Sequence, residues 1–250
     1  MTVSRVIAAL GLPGGTFVDQ RVPKTLLVEN GAPTTADKKL IKEGIESLTW
    51  TAALKPSTVG VPDFRDETRE YVEIIVISLQ LRSPSKPPRL LELVHRAVPY
   101  PVVLLTEGPT GSSISLVHKR WSLGEVAKTV LDGELSIADL DVPFDIGAAF
   151  LEALALSKQP RNSLFTVYQG WMNAALALQA AALTGAFLVS ESLAVAEARA
   201  NALRTTKQLE SQITAIRAAA AKEKQIAKQV SMNLEMKRLE AQLTAVRAHL

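Results

Sequence analysis

The chain has no cysteine among its 250 residues. That absence removes disulfide frameworks, thiolate metal sites and cysteine nucleophiles together, and it fits a reducing compartment, so the cytoplasm is the expected location. Histidine is scarce as well. His95, His118 and His249 are scattered, with no second histidine or acid at ligand spacing. Each reads as an ordinary surface or boundary residue, and neither a metal nor a cofactor is expected. The glycines of Leu12-Pro13-Gly14-Gly15-Thr16 and Gly108-Pro109-Thr110-Gly111 match neither a dinucleotide fingerprint nor a phosphate loop, and read as turns. No Gly-x-Ser-x-Gly elbow supports a serine hydrolase. Met1 to Leu10 is apolar but short and has no small-residue cleavage site after Arg5, so no signal peptide is expected.

Charge is missing from Ser163 to Ser190, which makes Trp171 to Val189 the sole membrane-span candidate. Alanine dominates that stretch, and Asn173, Gln179 and Thr184 interrupt it at a cost of about a kcal/mol or more for each central amide. A buried helix is the preferred reading, and no membrane partner is expected.

Glycine and proline are missing from Thr205 to the last residue. Within that stretch Leu209, Ile213, Ile216 and Ala220 step by four, three and four residues, a helical seam. A second seam runs through Met232, Met236, Leu239, Leu243, Val246 and Leu250. The segment from Leu209 to Arg217 recurs nearly unchanged from Leu239 to Arg247, thirty residues on, which is not a multiple of seven. The heptad must therefore break, and the polar interval Lys222 to Gln225 is the predicted place. A helical hairpin or a self-pairing coiled coil follows. From Arg199 onward ten bases face four acids, a local charge of +6 in a chain of net +3, so the remainder carries −3. Such a surface suits phosphates or an acidic partner, and equally a solvated helix face.

Ahead of the tail the pattern alternates between helix and strand. Val3 to Leu10 reads as a helix, Thr25 to Val28 is a short apolar run, and Thr34 or Thr35 can cap a helix facing inward through Leu40, Ile41, Ile45 and Leu48. Alternation from Leu48 to Leu54 predicts a strand. Pro56 to Glu70 reads as a loop, and Tyr71 to Leu79 as a central strand apolar on both faces except at Glu73 and Ser78. After punctuation from Pro84 to Pro88, a helix through Leu90 and Val94 leads to a strand at Val102 to Leu105, and the Gly108-to-Gly111 turn joins this to Ile114 through Trp121 as a hairpin. One or two strands are expected in Val126 to Leu140, and helices follow Pro143. The predicted architecture is α/β (α+β): a small mixed sheet flanked by helices over residues 1–142, a helical segment over 143–200, and a basic coiled-coil-like tail over 201–250.

One constellation invites an enzymatic reading. Metal-dependent nuclease cores set acids along a central strand with a lysine two residues after the second acid. Asp63 and Asp66 lie before the predicted central strand and Glu73 within it, but the lysine position holds Ile75. The constellation is incomplete.

Several segments together resemble a bacterial family known as domain of unknown function 4391. They are Arg21-Val22-Pro23-Lys24, Ile45 through Leu54 with Trp50 and Lys55-Pro56-Ser57-Thr58 after it, Val98-Pro99-Tyr100, and the run from Glu223 to Asn233. The last keeps the family frame but has Ile226, Ala227 and Gln229 where an aromatic, an amide and a base are usual. The resemblance implies a small cytoplasmic protein encoded beside a helicase and a DNA methyltransferase in restriction-like or antiphage defence loci, and it brings no established reaction. The expected function is accordingly a non-enzymatic accessory subunit that docks a helicase or methyltransferase partner, with DNA as a second candidate ligand. The expected binding residues are Lys222, Lys224, Gln225, Lys228, Asn233, Lys237 and Arg238. The alternatives are a degenerate nuclease on Asp63, Asp66 and Glu73, and a structural protein that forms homo-oligomers through the tail.

Overall fold

A computed structural model describes residues 1–82, 88–125, 128–190 and 192–250. The chain forms two compact units, Met1–Leu178 and Gln179–Leu250. Helix α1 (Val3–Ala9) opens the first, followed by strand β1 (Phe17–Arg21), helices α2 (Lys24–Gly31) and α3 (Thr35–Gly44), and strand β2 (Ile45–Leu54). A single helical turn, α4 (Pro56–Val59), precedes the short strands β3 (Phe64–Arg65) and β4 (Glu70–Tyr71) and then strand β5 (Ile74–Leu81). Helix α5 (Pro88–Ala97) leads into β6 (Val102–Gly108), β7 (Gly111–Trp121) and β8 (Thr129–Asp139), and helices α6 (Phe144–Ala153) and α7 (Leu164–Thr184) follow. The expected strand start at Val126, and the punctuation from Pro84 to Pro87, lie outside the described residues.

Six strands make one mixed sheet in the order β1-β2-β5-β6-β7-β8, and β3 pairs with β4 alone. Only β5 and β6 run parallel, joined through α5, and every other neighbouring pair is antiparallel. The α/β expectation therefore holds, with β5 central. That strand is buried on both faces because both are covered. On one face Ile75, Ile77, Leu79 and Leu81 pack with Leu27 of α2, Ile41 of α3, and Leu90, Leu91 and Val94 of α5. On the other, the buried Tyr168 hydroxyl of α7 shares its single proton between the carbonyls of Val102 and Val117 and accepts from the Val117 amide, at 2.9 to 3.0 Å.

Local chemistry explains the helix ends. Thr34 caps α3, its hydroxyl accepting from the Asp37 amide at 3.1 Å, and Asp37 sits in the first turn where the dipole favours an anion. Arg89 of α5 grips the same carboxylate through two nitrogens at 3.0 Å each, tying α3 to α5 and holding the Asp37 carboxyl down at about 2. Helix α6 stops at Ala153. Its last carbonyls are taken instead by side chains: Trp171 Nε1 donates to Leu154 at 2.8 Å and Gln159 Nε2 to Ala153 at 2.7 Å. Gly31 leaves no room for a side chain, since a Cβ there would stand 2.6 Å from the Leu93 carbonyl.

The charge-free stretch owes its character to burial. Leu164, Val167, Tyr168, Trp171, Ala174, Ala175, Ala177 and Leu178 of α7 are at most 1 % exposed. No helix among the described residues is long and apolar enough to cross a membrane. The second unit holds the last turns of α7 and two long helices, α8 (Leu193–Ala220) and α9 (Ile226–Arg247).

Candidate interaction surface

The seams predicted in the tail face one another. Leu209 and Ile213 of α8 and Leu239 of α9 form a small buried cluster, with Ile216, Met236, Leu243 and Val246 packed against it. The internal repeat acquires a physical meaning here. Arg217 Nη2 lies 3.3 Å from Glu240 Oε1, and Arg247 Nη2 lies 2.6 Å from Glu210 Oε1. Glu210 and Glu240 occupy the same place in the two copies, as do Arg217 and Arg247. Thus the copies pack antiparallel and exchange equivalent ion pairs about an approximate two-fold axis. Thr214 and Thr244, also equivalent, each bond back to the carbonyl four residues earlier.

The helices separate where the polar interval predicts. Glu223 closes the connection, its Oε1 accepting the amides of Lys224 and Gln225 at 2.8 Å each, and Gln229 Nε2 reaches back to the Ala220 carbonyl at 3.3 Å. Glu223 thus closes the turn just ahead of α9, whose own first turn holds no acid.

The tail's charge is unevenly used. Arg199 is buried, its guanidinium donating to the Leu188 carbonyl at 2.6 Å, while Arg217 and Arg247 serve the cross-helix pairs. Of the seven remaining tail cations, five lie in the connection or on α9. Lys222, Lys224, Lys228, Lys237 and Arg238 are all exposed, and among the described residues none has an ion-pair partner. Gln225 and Asn233 are exposed beside them. So are three large apolar side chains on the same helix: Ile226, Val230 and Leu234, at 77, 52 and 64 %.

The acids of the nuclease constellation have local duties. Asp66 Oδ1 accepts from the amides of Thr68 and Arg69 at 2.7 and 2.6 Å, closing the β3–β4 turn, and these bonds depress its carboxyl. Asp63 pairs with Arg65 at 3.5 Å. Glu73 stands one residue before β5 rather than within the strand, where burial raises its carboxyl and Lys55 approaches to 3.6 Å. Among the described residues, no group of three or more histidine, aspartate or glutamate side chains converges as a metal ligand set.

A second polar constellation escapes sequence reasoning because its members are far apart in the chain. The Tyr71 hydroxyl hydrogen-bonds His118 Nδ1, His118 Nε2 lies 2.9 Å from Gln169 Oε1, and Gln169 Nε2 donates to Asn173 Oδ1 at 2.9 Å. Burial raises the Tyr71 phenol, so it keeps its proton and donates. The imidazole is consequently neutral, with its own proton on Nε2, and burial lowers its midpoint to about 4. Phe165 packs on Tyr71 and His118, and Arg69 lies over its ring while holding Asp132 through bonds of 2.9 and 2.7 Å.

His95 corrects the reading of a surface or boundary histidine. It is fully buried, with Nε2 on Ser115 Oγ at 3.0 Å, and is held neutral by burial and then by Lys119. Lys119 is buried too, its ammonium donating to the carbonyls of His95 and Val98 at the C-terminal end of α5. All of these groups bond inward.

The first unit is thus a mixed α/β fold in which Tyr71, His118, Gln169 and Lys119 are tied into internal hydrogen bonds while the buried Thr106 and Ser113 hydroxyls and His95 Nδ1 have no partner among the described residues, and the second is a helical hairpin that displays exposed cations. A family model described as domain of unknown function (DUF4391) matches residues 10–243, and the chain belongs to that family. No curated protein and no solved structure matches it.

Proposed function

We propose that this protein is a non-enzymatic accessory subunit of a bacterial DNA-processing, restriction-like or antiphage defence system, with the α/β unit as scaffold and the hairpin as its docking element. The observation that carries this reading is the cluster of exposed cations from Lys222 to Arg238 that have no ion-pair partner among the described residues. Unpaired surface charge costs little to display and is available to a partner, whereas charge already paired is not. The resemblance set out above supports the locus, in which a helicase and a DNA methyltransferase are the neighbours. The docked partner is of the helicase type, and DNA is the second ligand the same charge suits.

Reversing Lys222, Lys224, Lys228 and Lys237 to glutamate together tests the docking element. Association of the full chain with the helicase of its own locus, or with duplex DNA, is expected to fall at least about tenfold at ~50 mM salt and by less as salt rises. Binding that is unchanged at every salt concentration would remove the docking role from the hairpin.

A further inference from the structure

Ile226, Val230 and Leu234 step by four residues and so share one face of α9. That face is turned roughly half a turn from Met236, Leu239 and Leu243, which pack against α8. Over its first half α9 is therefore apolar on two opposed sides, and among the described residues only one of them is packed. Beyond Leu234 the open face continues through Lys237 and then the small residues Ala241 and Ala248.

We infer that this face receives an amphipathic helix of a protein partner, one that places apolar side chains over Val230 and Leu234 and a carboxylate against Lys237. Three properties of the face select that occupant. Side chains as exposed as these gain from burial, at about 25 cal/mol per Å² of apolar area covered, and phosphate oxygens cannot provide it. Small side chains past Lys237 let the ridge of another helix approach closely, a feature that a lipid surface does not require. Charge argues against a second copy of the chain. Helix α9 has two acids, of which Glu240 is engaged by Arg217 and Glu235 lies more than a quarter-turn from the stripe. A symmetric contact would leave Lys237 opposite a surface with no carboxylate of its own. This inference rests on the docking role of the hairpin and adds the face, the partner's secondary structure and its charge.

The test places a photo-cross-linking phenylalanine at Val230 in the full chain, in cells that carry its own locus, with Glu235 as the control position. Cross-linking at Val230 and not at Glu235 is expected. The product should map to a segment of another protein that is apolar at i, i+3 or i+4 and i+7 and carries an aspartate or glutamate. Lys237→Glu should reduce the yield at least fivefold, and changing the mapped acid to lysine should restore it. A product with the chain's own sequence, with lipid or with DNA overturns the inference, as does the absence of any product or a yield indifferent to Lys237→Glu. A segment of the stated kind in a protein outside the locus leaves the inference standing and overturns the defence reading.

Discussion

The two units differ in how deeply they bury their charged and polar side chains, with Arg199 a buried exception in the second. In Met1–Leu178 a histidine, a lysine and a tyrosine sit buried with their hydrogen bonds directed inward, whereas in Gln179–Leu250 the charged groups that do pair, Glu210, Arg217, Glu240 and Arg247, remain 42 to 64 % exposed. A buried polar group without a partner costs about 1–3 kcal/mol, a cost that the Tyr71–His118–Gln169 chain avoids and that the buried Thr106 and Ser113 hydroxyls bear. An exposed group has water as a partner at all times, so the second unit's cations can be recruited at little cost. The first arrangement specifies a fold, and the second leaves a surface to be recognised.

The sharpest way to break this contrast is inside the α/β unit. Trp171 is fully buried, and Trp171→Ala removes both its core volume and its bond to Leu154. A loss of about 3–5 kcal/mol is expected by urea unfolding; a loss below ~1 kcal/mol would show that α7 is not part of that core.

Acid provides the next largest effect. His118 has its midpoint lowered from 6.5 to about 4 by burial, with Arg69 lowering and Asp132 raising it, and burial lowers His95 in the same direction. Between 6.5 and 4 the unfolded chain binds protons that the folded chain refuses. Stability therefore rises with pH across that window and is lost as pH falls through it, by about 1.4 kcal/mol per pH unit per histidine at the steepest. Urea midpoints at pH 7 and pH 5 should differ accordingly, and His118→Asn should reduce the difference. Equal midpoints at both pH values would mean that the imidazoles are not held neutral.

The smallest effect belongs to the hairpin. Exchanging Glu210 and Arg247, so that each takes the other's residue, should restore most of the stability lost in either single variant. The coupling is expected to be only about 0.2–1 kcal/mol. A larger coupling in a double-mutant cycle would place these pairs with the committed networks of the first unit.

How much could be read in advance follows from how local each signal is. The two tail seams, the break between them, the Thr34 cap and the turn from Gly108 to Gly111 depend on residues within a few positions of one another, and periodicity or turn chemistry exposes them. Strand β5 was legible because burial on both faces writes a continuous apolar run. Strand β1 was not, since all five of its residues are exposed and its register against β2 slips between Phe17 and Gln20, where Asp19 adopts a positive φ of 45°. Helix α2 hid behind a four-residue apolar run that fits a strand as well as a helix. The link from Tyr71 through His118 to Gln169 joins three elements that only the folded sheet brings together, so no spacing in the sequence betrays it. His95 looked ordinary for the same reason: its burial is decided by what packs on α5. The cations from Lys222 to Arg238 were legible as charge, but which tail arginines are already spent emerged only from the pairing.

The repeated segment has a further consequence for mass action. Because its two copies are equivalent, each is complementary to itself as well as to the other, with Glu210 and Arg217 supplying both halves of the exchange. What directs each copy to its neighbour in the same chain is the short connection 221–225, which holds the partner at an effective concentration on the order of millimolar. At ordinary protein concentrations that tether outcompetes every other molecule for the inner seam, and the outer face of α9 stays open.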